Sequence, residues 1–206
     1  TDRRAPIFDL TQFFLLNEWV RAIRDFERFG DAGDLNELAK QVIQPLLAKE
    51  ETRTNEIDEL RKLTCALDDF TQHVRSSRCK DIQTFEFKTR ILNRLEAARA
   101  CNVLPQLTPA LNKLGNIFAE YQDKDLNNGI RAAKWAFDHD LIPQGYTLLQ
   151  ETIVSHFTQR FGTDLEELYP YDEIKRREYM SSVLAWRDKK DPWEKDDSEC
   201  AARLKK

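Results

Sequence analysis

The sequence has few residues that interrupt regular secondary structure. Only 6 of its 206 residues are glycine and 7 are proline. This scarcity argues against collagen-like and low-complexity chains, and against sandwiches and barrels, whose many turns need both residues. Methionine occurs once, at Met180, and the chain opens on Thr1, so we expect a processed or excised piece of a longer protein. The remaining composition favours a helical globular protein.

Several kinds of site and segment are also missing from the sequence. The cysteines Cys65, Cys79, Cys101 and Cys200 contain no CxxC pair, so neither a zinc site nor a disulfide framework is indicated, and we expect no metal. No glycine cluster precedes a helix to cradle phosphate, so no cofactor is expected in this chain. No run of about 18 apolar residues and no signal peptide is present. We therefore expect a cytoplasmic protein without a membrane segment.

The charge of the chain is nearly balanced, but its basic residues are unevenly placed. With 32 Lys and Arg against 36 Asp and Glu, the net charge is -4, which argues against a surface that is basic throughout. A basic cluster nevertheless lies in the middle of the chain, and it comprises Arg75, Arg78, Lys80, Lys88, Arg90, Arg94 and Arg99. Arg90 and Arg94 share a helical face, so they are candidate contacts for an RNA phosphate. The alternative is a solvated face paired with Glu86 and Glu96.

Apolar residues recur at steps of three and four along most of the chain, which predicts amphipathic helices. We predict helices over 10–29, 34–46, 54–74, 82–103, 108–118, 130–138 and 143–161, with further helical pieces after 171. No segment alternates with a period of two. The fold prediction is an all-α bundle of about eight helices, with a helical domain over 1–170 and a charged helical extension over 171–206 that is truncated.

Local signals suggest where some of these helices begin and end. Gly30 is expected to end the first helix, and Gly162 the one that starts near Pro143. Asp34 followed by Glu37 has capping-box spacing, so Asp34 is the predicted N-cap of the second helix. Pro45 is expected to kink or end that helix.

The three histidines offer little support for catalysis. None of His73, His139 and His156 lies in a recognisable nucleophile elbow. His139 follows a predicted helix, where the helix dipole favours an imidazole as a C-cap. Arg131 lies eight residues earlier on roughly the same face. Arg131 and His139 are therefore weak catalytic candidates, and a structural cap is the favoured interpretation of His139.

Several segments resemble a known family. They are PIFDLTQFFLLNEWVRAIRDFERF at 6–29, the GDAGDLNEL run after it, LRKLTCALDDFTQHVRSSRC at 60–79, and IRAAKWAFDHDLIPQGYTLLQETIV at 130–154. They resemble, in order, elements of CRISPR-associated CARF–HEPN proteins, the accessory ribonucleases of type III systems. Together they cover somewhat more than half of the chain.

The resemblance implies a function in antiviral defence. In that family a Rossmann-like CARF domain binds a cyclic oligoadenylate, and a helical HEPN domain cleaves single-stranded RNA as a homodimer without a metal. This chain would be the helical HEPN-like region. The cyclic oligoadenylate would bind a CARF domain of the same protein that lies outside the chain.

The sequence departs from the family in its catalytic motif. HEPN ribonucleases carry an RxxxxH motif, in which the Arg steadies the phosphate and the His takes part in proton transfer. No Arg lies five to seven residues before His73, His139 or His156. Either the motif lies beyond this chain or it is lost, so we expect the chain alone to be inactive. The alternative function is a non-catalytic helical module for protein interaction or dimerisation.

Overall fold

The described part of the molecule consists of helices. The computed structural model describes residues 11–48, 54–99 and 108–185, and no strand occurs in these ranges. The α-helices are α1 (Thr11–Phe29), α2 (Gly33–Leu47), α3 (Asn55–Arg75), α4 (Cys79–Thr84), α5 (Asn93–Arg99), α6 (Thr108–Phe118), α7 (Asn128–Asp138), α8 (Ile142–Arg160), α9 (Gly162–Leu168) and α10 (Glu173–Leu184), with a π-helix at Lys88–Leu92. The all-α prediction is confirmed.

Helix α3 lies at the centre of the bundle. It packs against α2, α4, α5, the π-helix, α7 and α8. Thr54 caps its start, because the Thr54 hydroxyl accepts a hydrogen bond from the Ile57 N–H at 3.4 Å. The predicted apolar stripe is buried along its whole length, through Ile57, Leu60, Leu63, Leu67, Phe70 and Val74. The three-and-four spacing therefore identified the central core helix correctly.

Aromatic rings gathered around Phe70 dominate the core. Four rings pack edge to face on Phe70, those of Phe87, Phe118, Tyr121 and Trp135, with centroid separations of 5.2 to 6.0 Å. The ring quadrupole favours this geometry, and each such pair contributes about 0.5–1.5 kcal/mol beyond the area that it buries. The cluster joins α3, α6 and α7 to the segment that carries the π-helix.

The start and end of α2 differ from the prediction. Asp34 is not the N-cap, because α2 begins one residue earlier, at Gly33, whose N–H donates to the Asp31 carboxylate at 2.9 Å. Asp34 instead lies in the first turn, where a negative charge is favoured by the helix dipole. Pro45 does not end the helix, which continues to Leu47. A proline this close to the end removes only one backbone hydrogen bond.

The continuous helix predicted over 82–103 is wrong. Phe85 adopts an extended conformation and ends α4, and the chain resumes as the π-helix before α5. The interruption allows both Phe85 and Phe87 to bury their rings, with centroids 4.7 Å apart. The Lys88 N–H donates to the Asp123 carboxylate at 2.6 Å, which holds the start of the π-helix. The last four residues of the prediction lie outside the described ranges.

A further difference occurs near the C-terminal end of the described chain. Helix α8 ends just before Gly162, as predicted, but Gly162 also opens a further helix, α9, with only Phe161 between the two. Together with the break at Phe85, this raises the count within the described ranges to ten α-helices. Helix α10 packs on α8 and α9. The extension beyond 185 lies outside the described residues, and the division at 170 stays a prediction.

Gly30 ends α1 in a conformation that other residues avoid, and this generates a stability prediction. Its φ is +64°, and a Cβ there would lie 2.9 Å from the His139 ring and 3.1 Å from Trp135 Nε1. We expect Gly30→Ala to lower the free energy of unfolding by about 2 kcal/mol. Gly162→Ala is the matched control, because a Cβ at Gly162 meets no atom within 4 Å. Urea denaturation measures both, and equal stabilities would contradict the prediction.

Candidate functional site

The two arginines predicted to contact RNA both contact α3. The Arg90 guanidinium contacts the Asp69 carboxylate and lies 4.4 Å from the centroid of the Phe85 ring. Arg94 Nη1 donates to the backbone carbonyl of Lys62 at 3.0 Å, and Arg94 Nε lies 3.6 Å from the Glu59 carboxylate. Both arginines therefore reach across to α3, but they contact it at different places, since Asp69 and Glu59 are ten residues apart on that helix.

Their predicted acidic partners pair elsewhere. Glu86 contacts Lys124 at 2.8 Å, and the hydrogen bond from Lys124 lowers the pKa of the Glu86 carboxyl. Glu96 pairs with Arg99 within one turn of α5. The partners of Arg90 and Arg94 come from a different helix, which sequence spacing within one helix does not reveal.

The basic cluster as a whole is largely neutralised. Six of its seven cations have an acidic partner, and the pairs are Arg75 with Asp31, Arg78 with Asp81, Lys80 with Glu173, Arg90 with Asp69, Arg94 with Glu59, and Arg99 with Glu96. Within the described ranges the Lys88 ammonium has no acidic partner. Most of the cluster is thus a paired surface, and among the described residues the Lys88 ammonium is the member without an ionic partner.

Lys88 lies at a cavity that the sequence did not predict. The cavity has a volume of about 490 Å³ and lies between the π-helix, α5 and α6. Its lining residues are Lys88, Leu92, Asn93, Leu95, Glu96, Arg99, Gly115, Asn116, Ala119, Tyr121 and Gln122. Gly115 lies inside α6, and a glycine within a helix is a sequence signal that another group packs closely against the backbone there.

His139 has a structural role. It is the C-cap of α7, as predicted. Its Nδ1 lies 2.7 Å from the Trp135 carbonyl oxygen, and its Nε2 lies 3.0 Å from the Glu27 carbonyl oxygen in α1. The imidazole also packs on the Trp135 ring, with centroids 3.8 Å apart. Because backbone oxygens occupy both ring nitrogens, the ring bridges the ends of α1 and α7.

Arg131 is held by the loop before α7. Its Nη1 donates to the Asp125 carboxylate at 2.8 Å and to the Asn128 side-chain oxygen at 2.9 Å. The hydrogen bond from Arg131 is the main reason that the pKa of Asp125 lies below its ordinary value. Arg131 and His139 therefore contact different groups and have no partner in common.

Other reactive groups do not assemble a site in the part of the chain that the structure describes. Cys79 is buried beside the Thr152 hydroxyl, 3.3 Å away, and burial raises the pKa of its thiol, which disfavours the nucleophilic thiolate. Cys101 and Cys200 lie outside the described residues. No group of three or more His, Cys, Asp or Glu side chains in those ranges is arranged to hold a metal ion. None of the described helices has the length and apolar character needed to cross a bilayer.

The bridge formed by His139 leads to a stability prediction. We expect His139→Ala to lower the free energy of unfolding by about 2 kcal/mol, because the ring that contacts both carbonyl oxygens at the junction of α1 and α7 is removed. His156→Ala is the control, since His156 is exposed on α8 and should change stability by less than about 0.5 kcal/mol. Equal losses in denaturant titrations of the two variants would contradict the bridging role.

His73 leads to a pH prediction. Burial lowers the pKa of His73 in the folded protein, so the unfolded chain takes up this proton first as the pH falls. The resulting stability is present above the unfolded value of about 6.5 and is lost as the pH falls through the folded value. We therefore expect the stability lost between about pH 7.5 and 5 to be smaller in His73→Gln. Denaturant titrations across this range measure it, and identical pH slopes would contradict it.

Comparison with known proteins gives one relevant similarity. The chain is 26% identical over 182 residues to the CRISPR-associated protein MJ1674 of Methanocaldococcus jannaschii. The alignment covers 87% of this chain and 24% of that protein, so the chain spans about a quarter of its relative's length. No family model matches the chain, and no solved structure matches it. The similarity agrees with the CRISPR-associated part of the resemblance found in the sequence.

Proposed function

We propose that this chain is the helical region of a cytoplasmic CRISPR-associated protein that cleaves single-stranded RNA in antiviral defence. The similarity over 182 residues to a protein named as CRISPR-associated supports a role in a CRISPR system. The helical fold agrees with a HEPN-like region. In this proposal the chain supplies scaffold and RNA contacts. The catalytic Arg and His come from another part of the same protein.

The contacts of His139 are the main observation behind the proposal that the catalytic residues lie elsewhere in the protein. A general acid or base needs a nitrogen within reach of the proton that it transfers. Both His139 nitrogens face backbone carbonyls, and the Arg131 guanidinium is bound by Asp125 and Asn128. The only Arg and His that the sequence offered as a catalytic pair therefore stabilise the fold.

The surface of Arg90 and Arg94 is the proposed contact for the RNA backbone. The Arg90 guanidinium packs on the Phe85 ring, which restricts its plane. Its partner Asp69 is half exposed, and exposed ion pairs contribute little to stability, so a phosphate can replace the carboxylate at low cost. Arginine binds phosphate in a bidentate manner, which makes this exchange favourable. Binding of this type weakens as salt is raised.

The complete protein would contain the other parts of the family's mechanism. A CARF domain outside this chain would bind a cyclic oligoadenylate and stimulate cleavage. The ribonuclease would be a homodimer and would need no metal. These expectations rest on the resemblance of the segments at 6–29, 60–79 and 130–154.

A non-catalytic interaction or dimerisation module is the second candidate. It is favoured by apolar side chains that remain exposed on α8 and α10, among them Tyr146, Ile153 and Leu184. They border a largely apolar groove of about 390 Å³. Exposed apolar patches of this kind mark surfaces that bind another protein.

Cleavage by the complete gene product tests the ribonuclease proposal. With a cyclic oligoadenylate present, we expect it to cleave labelled single-stranded RNA in the presence of EDTA, whereas the 206-residue chain alone binds this RNA without cleaving it. Arg131→Gln in the complete protein is expected to keep its cleavage rate within about twofold, because Arg131 serves the fold. No cleavage at any oligoadenylate size would contradict the ribonuclease proposal and favour the interaction module.

Light scattering separates the same two candidates by assembly state. A homodimer of the complete protein is expected for a HEPN ribonuclease. A protein that stays monomeric and associates only with a different partner would contradict the dimer and support the interaction module.

A further inference from the structure

The cavity beside the π-helix has the size and floor of a small-ligand site. Its volume of about 490 Å³ lies within the roughly 300–1,000 Å³ typical of such sites. Its apolar lining, the floor, comprises Leu92, Leu95, Ala119 and Tyr121, of which Leu95 and Tyr121 are buried. A flat apolar group of a ligand can pack on this floor.

The rim of the cavity is polar, and its side chains are available to form hydrogen bonds with a ligand. Three side-chain amides lie there, those of Asn93, Asn116 and Gln122. Within the described ranges, these amides have no hydrogen-bond partner, and the Lys88 ammonium has no acidic partner. Each amide offers both a donor and an acceptor. The rim therefore combines hydrogen-bonding groups of both kinds with the positive charge of Lys88, and the Glu96 carboxylate adds a negative charge that is paired with Arg99.

Arg99 adds a second cation, and Gly115 makes room for it. Arg99 Nη2 donates to the Leu111 carbonyl at 3.4 Å, and a Cβ on Gly115 would lie only 2.6 Å from this nitrogen. Its ionic partner Glu96 is 70% exposed, so the pair is weak and a ligand anion can compete for the guanidinium. The absence of a side chain at Gly115 thus leaves the space that the guanidinium occupies.

The π-helix places Lys88 at this rim. Asp123 accepts hydrogen bonds from the Lys88 N–H at 2.6 Å and from the Thr89 hydroxyl at 3.5 Å. These bonds hold the first residues of the π-helix, while Phe87 is anchored in the core. Single π-helical turns are frequent at functional sites, where they displace side chains from regular helical spacing.

We infer that this cavity binds one nucleotide, either free or as a unit of single-stranded RNA. Lys88 and Arg99 supply the charge that recognises a phosphate. The amides of Asn93, Asn116 and Gln122 match the donors and acceptors on the edge of a base, and the apolar floor accepts its face. The RNA source rests on the proposed function, whereas nucleotide binding by the cavity does not require cleavage.

Two variants test ligand binding by the cavity and are not expected to disrupt the fold. Lys88→Gln removes its free charge. Gly115→Ala keeps every charge but displaces the Arg99 guanidinium, and alanine is favourable within a helix. Lys80→Gln is the matched control, because it makes the same charge change at a lysine that pairs with Glu173 and does not line the cavity. Thermal unfolding confirms that each variant folds.

Calorimetry with a ribonucleoside monophosphate and fluorescence anisotropy with a labelled RNA hexamer measure binding. We expect at least one of these ligands to bind, and Lys88→Gln and Gly115→Ala to weaken that binding about tenfold, while Lys80→Gln leaves it unchanged. Competition between the two ligands would show that the free nucleotide and the RNA bind in the same cavity. Binding of RNA alone would identify a nucleotide unit of RNA as the ligand.

The proposal is overturned if neither ligand binds, or if all three variants bind equally well. It is also overturned if inorganic phosphate binds as tightly as the nucleotide, because base recognition is then absent. These failures are distinct from failure of the ribonuclease proposal, which is measured by cleavage in the complete protein.

Discussion

The aromatic contacts of Phe70 and Trp135 are the constraint on which the rest of the structure depends. Phe70 joins α3 to α6 and α7 through Phe118 and Trp135, and Phe26 of α1 packs on Trp135 with centroids 5.3 Å apart. Phe87 joins the same cluster and so fixes the chain directly before the π-helix. The positions of Lys88 and of the cavity beside α6 follow from this core.

The same core explains why His139 belongs to the scaffold. Trp135 supplies both the ring on which the imidazole packs and the carbonyl oxygen that faces Nδ1. Gly30 leaves space for that imidazole at the end of α1. The arginines beside α3 and at the cavity are instead partly exposed and paired with acidic side chains. The molecule thus separates a buried aromatic bridge from the polar surface that we propose as the contact for an anionic ligand.

The sequence predicted the features that depend on local spacing. The buried stripe of α3, the end of α1 at Gly30 and the C-cap role of His139 all follow from helical periodicity and capping preferences. The break at Phe85 was missed, because local helix propensity was overridden by burial of Phe85 and Phe87 in a core built from distant segments. The contacts of Arg90 with Asp69 and of Arg99 with the space at Gly115 were missed for the same reason. They join residues that are far apart in the sequence, so spacing along one helix cannot reveal them.

The central claim is that this helical region contacts RNA while the catalytic pair lies elsewhere in the protein. Ultraviolet cross-linking of single-stranded RNA to the complete protein, followed by identification of the cross-linked peptides, tests it most directly. We predict cross-links in the peptides spanning 85–99 and 115–122, and none in the peptide that contains His139. Cross-links at His139, or none within the helical region, would contradict the account.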